Sequence, residues 1–252
     1  MTKKPLVHVT TQEIDRQFYK RKIHHFRRFL SLNQGTENWL LISDYNIGDP
    51  ARPTDVIAFS ILPLNGSIDA AAAPIKACFP ADFKNIQRVS NKAIGYFRRQ
   101  RAVFHLCFAI EKDTSMLFRE GESRLETARR SIVETLAYLE EHEAPEWIIK
   151  SAKALKQQSM ANRFSHKIYD KIMLLTCCYA FIIGLLHRER PKTKVITWCS
   201  DRDALMSWSN NVVDTFALTG AVRWATHMRK RLTSEDLPRL VLAPAGVDRW
   251  IS

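Results

Sequence analysis

Lys194-Val195-Ile196-Thr197-Trp198-Cys199 is an apolar run that passes through Ser200 into Asp201 and Asp203. β-branched and aromatic residues without Gly or Pro read as a strand, and the lack of polar alternation makes it a buried one. Two further acids stand in comparable settings. Asp214 lies inside the apolar helical stretch Val212-Val213-Asp214-Thr215-Phe216-Ala217-Leu218-Thr219-Gly220-Ala221, and Asp44 ends the apolar run Trp39-Leu40-Leu41-Ile42-Ser43. A carboxylate on an apolar surface is unfavourable unless a partner compensates it. A divalent metal is one such partner and an arginine is another.

The segments around this run set the fold class. A capping-box spacing, Thr10 with Glu13, opens a helix expected to run to Leu30, with Ile14, Phe18, Ile23, Phe26 and Leu30 on one face. Strands are expected at 39–45 and 56–62, separated by the turn-rich residues 46–53. Residues 70–77 favour helix, with Pro74 expected to break it. Residues 82–99 read as a basic, partly helical stretch, and 103–110 as a strand. Ser123 and Glu126 open a second capping box and a helix to about Glu141. Pro145 suits the start of another helix. A core helix over about 163–187, the strand 194–199, a helix over 210–229 and a last strand, 239–242, complete the order. Neighbouring early strands followed by a later strand among helices predict an α/β protein, with a mixed central sheet covered by helices. Two regions are expected: a basic helical appendage over 1–35 and a single α/β domain over 36–252.

Ile172 to Leu186 is apolar except at Thr176 and Gly184, but at fifteen residues it is short of the roughly 20 a spanning helix needs. A buried core helix is expected there, and no membrane span. The start of the sequence shows no secretory pattern. Five cysteines without a C-x-x-C pair fit free thiols in a reducing cytoplasm rather than disulfides or zinc. G-x-S-x-G, Walker A and G-x-G-x-x-G patterns are missing from the sequence. His105, alternating within its strand, reads as a satisfied core histidine.

The apolar content of 46% and charged content of 25% are ordinary, but the net charge of +12 is not. A pI near 9.7 points to an anionic partner, with nucleic acid the leading candidate. Basic residues gather in three places: Arg16, Lys20 and Arg27 on the first helix; Lys92, Arg98 and Arg99 around Tyr96 and Phe97; and Arg223, Arg229 and Lys230 near Trp224. Cations interleaved with aromatics suit a phosphate backbone with stacked bases.

An acid on the first strand, an acid after a later strand and an acid on a late helix resemble the ribonuclease H-like fold. Within it, the chain is similar to a bacterial family of uncharacterised proteins. That family has a first strand ending in Asp-Glu-Ser-Gly and a late helix with an Ala-Asp-x-x-Ala-Gly pattern. The matching segments are Leu41-Ile42-Ser43-Asp44-Tyr45-Asn46 and Val213-Asp214-Thr215-Phe216-Ala217-Leu218-Thr219-Gly220, with Thr197-Trp198-Cys199-Ser200-Asp201 between them. Tyr45 stands where the family has glutamate, and Leu218-Thr219 separates Ala217 from Gly220.

The resemblance implies a nuclease, or a protein derived from one, acting on DNA or RNA. Two Mg²⁺ or Mn²⁺ ions about 3.5–4 Å apart would clamp the attacking and leaving oxygens. Asp44, Asp201 and Asp214 would be the catalytic metal set, with Asp203 a further ligand. Each acid also has an ordinary role open to it. Asp44 suits an Asx turn, Asp201 and Asp203 suit helix N-caps, and Asp214 suits pairing with Arg202 or Arg223. Glu126 suits its capping box better than a metal. The departure at Tyr45 keeps open a nucleic-acid-binding subunit of a larger assembly with a degenerate site. Asp201-Arg202-Asp203 also resembles the metal-nucleotide motif of nucleotide-sugar transferases.

Overall fold

The structure is a computed structural model. It describes residues 14, 16–77, 90–91, 94–95, 103–112, 115–117, 120–200 and 208, and also 239–242, with 75–76 and 239–242 as backbone alone. Its elements in chain order are α1 (Ile23–Ser31), β1 (Asn38–Asn46), β2 (Thr54–Pro63), α2 (Ile68–Lys76), β3 (Phe104–Glu111), α3 (Arg124–Glu141), α4 (Glu146–Ser159), α5 (His166–Glu189), β4 (Val195–Ser200) and β5 (Arg239–Leu242). A helical stretch at 16–21 precedes α1 across a turn at Lys22.

One mixed sheet runs in the order β3-β2-β1-β4-β5. β2 is antiparallel to both β1 and β3, while β4 is parallel to both β1 and β5. The α/β class and mixed sheet expected from the sequence are present. Each described strand falls within two residues of its expected bounds, because apolar stripes or short apolar runs bounded by turn residues mark strands strongly.

Alternation gives the sheet two different faces. Trp39, Leu41, Ile57, Phe59, Ile61 and Trp198 point into the main core. Leu40, Leu62 and Cys199 point the other way and form a small cluster with Ile42. α5 fills the main core. Every residue from Ile172 to His187 is buried, which accounts for a helix apolar on all sides. Tyr179 stacks on Trp198 at 4.1 Å between ring centroids, and Phe181 meets Phe108 edge-on at 6.1 Å. α5 is long and apolar enough to cross a membrane, yet it packs inside this protein's own core.

The first helical region is also part of that core. Phe18, Phe26, Phe29 and Leu30 are buried in it, so residues 16–31 pack against the sheet. Phe26 and Phe29 meet Phe104, and Phe29 meets Trp39 at 5.7 Å.

Two local expectations are modified. α2 runs through Pro74. The proline stands near the end of a short helix whose Ala70 is exposed, so the bond it removes is confined to the last turns. Pro145 is the N-cap of α4 rather than its first residue. The expected helix over 210–229 lies outside the described residues.

Candidate functional site

β1 and β4 are parallel neighbours, and between them the chain changes direction across the sheet. β2 and β3 lie to one side of β1; β4 and β5 lie to the other. In open α/β sheets the crevice beyond the carboxyl ends of strands at such a switch point is the usual ligand site. Register fixes which residues reach that edge. Ser43 lies opposite Ser200, and Asp44 follows Ser43. The indole Nε1–H of Trp198 donates to Ser43 Oγ at 2.9 Å, which fastens the two strand ends together in the interior.

Asp44 belongs to the face of Leu40 and Ile42, away from the main core, and it is exposed. Among the described residues its carboxylate has no hydrogen-bond or ion-pair partner. The Asx-turn role belongs instead to Asp49, whose Oδ1 accepts from the Ala51 N–H at 2.9 Å. That bond, with the Asn46 amide, holds the Asp49 carboxyl below the usual carboxylate range.

The loop after Asp44 is held at several points. The Gly48 N–H donates to Asp55 Oδ1 at 2.7 Å. Lys112 Nζ donates to the carbonyls of Asp49 and Arg52, each at 2.6 Å. Lys171 Nζ, on α5, donates to the Ile47 carbonyl at 3.1 Å. Gly48 takes φ +81, where its missing side chain also leaves room for Lys171.

Along the same outer face, Asp44 pairs across β2 with Ala58, and Ala58 pairs with Cys107 on β3. One row over, Ser60 Oγ and His105 Nδ1 share a hydrogen bond of 2.9 Å. His105 is thus on the exposed outer face of the sheet, not in the core. Partial burial lowers its imidazole from the ordinary value. Strand alternation put His105 opposite Leu106 and Phe108, but it could not tell that only one face of β3 is covered.

Asp201, Asp203 and Asp214 lie outside the described residues. Among the described residues no group of three or more His, Cys, Asp or Glu is placed to hold a metal ion. Asp44 is therefore the one described member of the expected carboxylate set. It is a hard oxygen donor, open to solvent and without a partner among the described residues. Glu126 is committed: it completes the capping box of α3, its carboxylate accepting from the Ser123 backbone N–H at 2.8 Å.

Of the expected nucleic-acid contacts, Arg16, Lys20 and Arg27 are described and exposed. Arg27 has a structural partner. Its Nε donates to Glu189 Oε2 at 2.8 Å, while the Tyr19 hydroxyl donates to Glu189 Oε1 at 2.6 Å. Arg188 stacks over the Tyr19 ring at 4.0 Å. This clasp joins the first helical region to the end of α5. Lys92, Arg98, Arg99, Arg223, Arg229 and Lys230 lie outside the described residues.

α1 packs on the core face of the sheet, against Trp39 at the start of β1. Asp44 stands at the other end of β1 and on the other face. The basic helix and the acid site are thus separated by most of the strand length and by the sheet itself.

Compared with known protein families, curated proteins and solved structures, the chain matches none.

Proposed function

We propose that the chain is a ribonuclease H-like, metal-dependent nuclease, or a protein derived from one, acting on DNA or RNA. The observation that carries this reading is Asp44: an exposed carboxylate at the carboxyl end of β1, at the switch point beside β4, with no partner among the described residues. The antiparallel β1-β2-β3 unit, joined through β1 to parallel β4 and β5, supports the same fold reading. Asp201 is one peptide bond beyond Ser200, the residue paired with Ser43.

In this reading Asp44, Asp201 and Asp214 hold the metal, with Asp203 a further oxygen donor. Mg²⁺ or Mn²⁺ would supply charge neutralisation at a phosphodiester and an activated water. The chain's own contribution is to aim Asp44 from a strand fastened to β4 through Ser43 and Trp198, and to hold the following loop with Lys112 and Lys171. The net charge of +12 supports the choice of a polyanionic substrate.

The separation of the basic helix from Asp44 favours a second reading, a nucleic-acid-binding subunit whose chemistry lies in a partner. One experiment separates the two. Labelled single- and double-stranded DNA and RNA are incubated with wild type and Asp44→Asn, in Mn²⁺, Mg²⁺ or EDTA. Cleavage that needs metal and disappears in Asp44→Asn, with binding retained, is expected of the nuclease. Binding without cleavage in every metal sinks that reading and leaves the binding subunit.

A further inference from the structure

We infer that residues 16–28 and the C-terminal end of α5 together form a docking surface for the phosphate backbone of a nucleic acid, separate from the Asp44 site. The choice of nucleic acid rests on the reading above; the surface itself does not depend on any chemistry at Asp44.

Residues 16–37 and 187–194 contain ten Lys and Arg but only two acids, Glu37 and Glu189. The clasp of Tyr19, Arg27 and Arg188 around Glu189 brings these two stretches together, as does the bond from the Arg190 guanidinium to the Leu30 carbonyl. Both acids are already neutralised, Glu189 by Arg27 and Glu37 by Lys194. Lys20, Arg21, Lys22 and Arg28 are exposed, and none has an ion-pair partner among the described residues. Like charges one helical turn apart repel and are mildly destabilising. The α1 dipole compensates Arg28 in the last turn, but it does nothing for Lys20, Arg21 or Lys22. An external polyanion does, because each neutralised phosphate releases condensed counterions.

An anionic membrane fits less well. A helix lying on lipid inserts its apolar face. Here that face, Phe18, Phe26, Phe29 and Leu30, is consumed by the core. Leu32 is the one large exposed apolar side chain of this region. What remains outward is charge on a helix packed into the core, suited to phosphates in water and indifferent to base sequence.

The test is fluorescence anisotropy of a labelled oligonucleotide of about 24 nucleotides, in EDTA, from about 50 to 300 mM KCl. The proteins are wild type, Lys20→Glu/Arg28→Glu, the milder Lys20→Gln/Arg28→Gln, and Lys150→Glu/Lys153→Glu on α4 as a control of equal charge change. Circular dichroism checks that each is folded. We expect the Lys20/Arg28 charge reversal to weaken binding at least about tenfold at 100 mM salt. The slope of log K against log salt should fall by about 1.4–1.8, the loss of two phosphate contacts. The Gln pair should show the same slope change, with a smaller loss of affinity. The α4 control should bind as wild type.

Equal affinities and slopes for the Lys20/Arg28 and α4 variants would overturn the surface. So would wild-type binding to anionic phospholipid vesicles with none to nucleic acid. Failure of the nuclease reading looks different: no cleavage in any metal, with the Lys20/Arg28 effect on binding intact.

Discussion

Trp198 and Ser43 decide how the two parallel strands meet beside Asp44. Both are buried, and the indole N–H has Ser43 Oγ as its partner. Ser43→Ala removes the acceptor and leaves a buried donor, which costs about 1–3 kcal/mol. The expected result in chemical denaturation is a lower midpoint with an unchanged slope; an unchanged midpoint would mean that the bond contributes nothing. Glu189 gives a pH-dependent prediction. Burial alone would raise its carboxyl, but the hydrogen bonds from Arg27 and Tyr19 and the Arg27 charge outweigh burial and hold it below the ordinary value of 4.5. A depressed folded-state pKa stabilises at pH above the unfolded value and is lost as pH falls through the folded one. Glu189→Gln should therefore melt a few degrees below wild type at pH 7, and the gap should close as pH drops below 4.5. A gap constant from pH 7 to pH 3 would show that the charge of Glu189 is immaterial. The Arg27 role was not legible in the sequence. Its partner is 162 residues away, and helical periodicity gives only the face a cation occupies.

Elements were far more legible than contacts. β1, β2, β3 and β4 each combine an apolar stripe or run with turn residues at the ends, and their bounds follow from local chemistry. The Ser123 and Glu126 capping box was readable because both partners lie within one turn. The pairing of β1 with β4 was not readable, since more than 140 residues intervene and register is set by tertiary packing. The consequences for the site are similar. Asp44 at a strand end could be named from the sequence, whereas its exposure, and the turn role falling to Asp49 instead, could not. The loop that makes this division has its own test. Gly48 takes a positive φ, and a Cβ there would collide with Lys171 Nζ. The lysine end can swing away, but the backbone conformation costs a non-glycine residue about 1–2 kcal/mol. Gly48→Ala should lower stability by about that amount and release Lys171 from the Ile47 carbonyl. Amide exchange over residues 46–53 should rise above wild type; unchanged protection would mean that the lysine does not hold the loop.

At the scale of the whole molecule, the two charged features face apart. From Trp39, against which α1 packs, to Asp44 is about 17 Å along β1, and the helix layer lies about 10 Å from the sheet on the opposite face. A nucleic acid that touches both must follow the surface around the sheet, so its path exceeds about 27 Å, or about eight nucleotides at 3.4 Å each. An oligonucleotide of about six nucleotides can occupy one surface at a time, while one of about 24 can reach both. When both are engaged, the basic surface raises the effective concentration of the strand at Asp44 without adding a contact there. Cleavage by wild type should therefore rise in kcat/KM as the substrate lengthens from about six to about 24 nucleotides. Lys20→Glu/Arg28→Glu should cleave the short substrate as wild type does and lose most of the gain on the long one. The same length dependence in both proteins would mean that the basic helix does not deliver substrate to the acid site. Its docked nucleic acid would then belong to a different part of the protein's work.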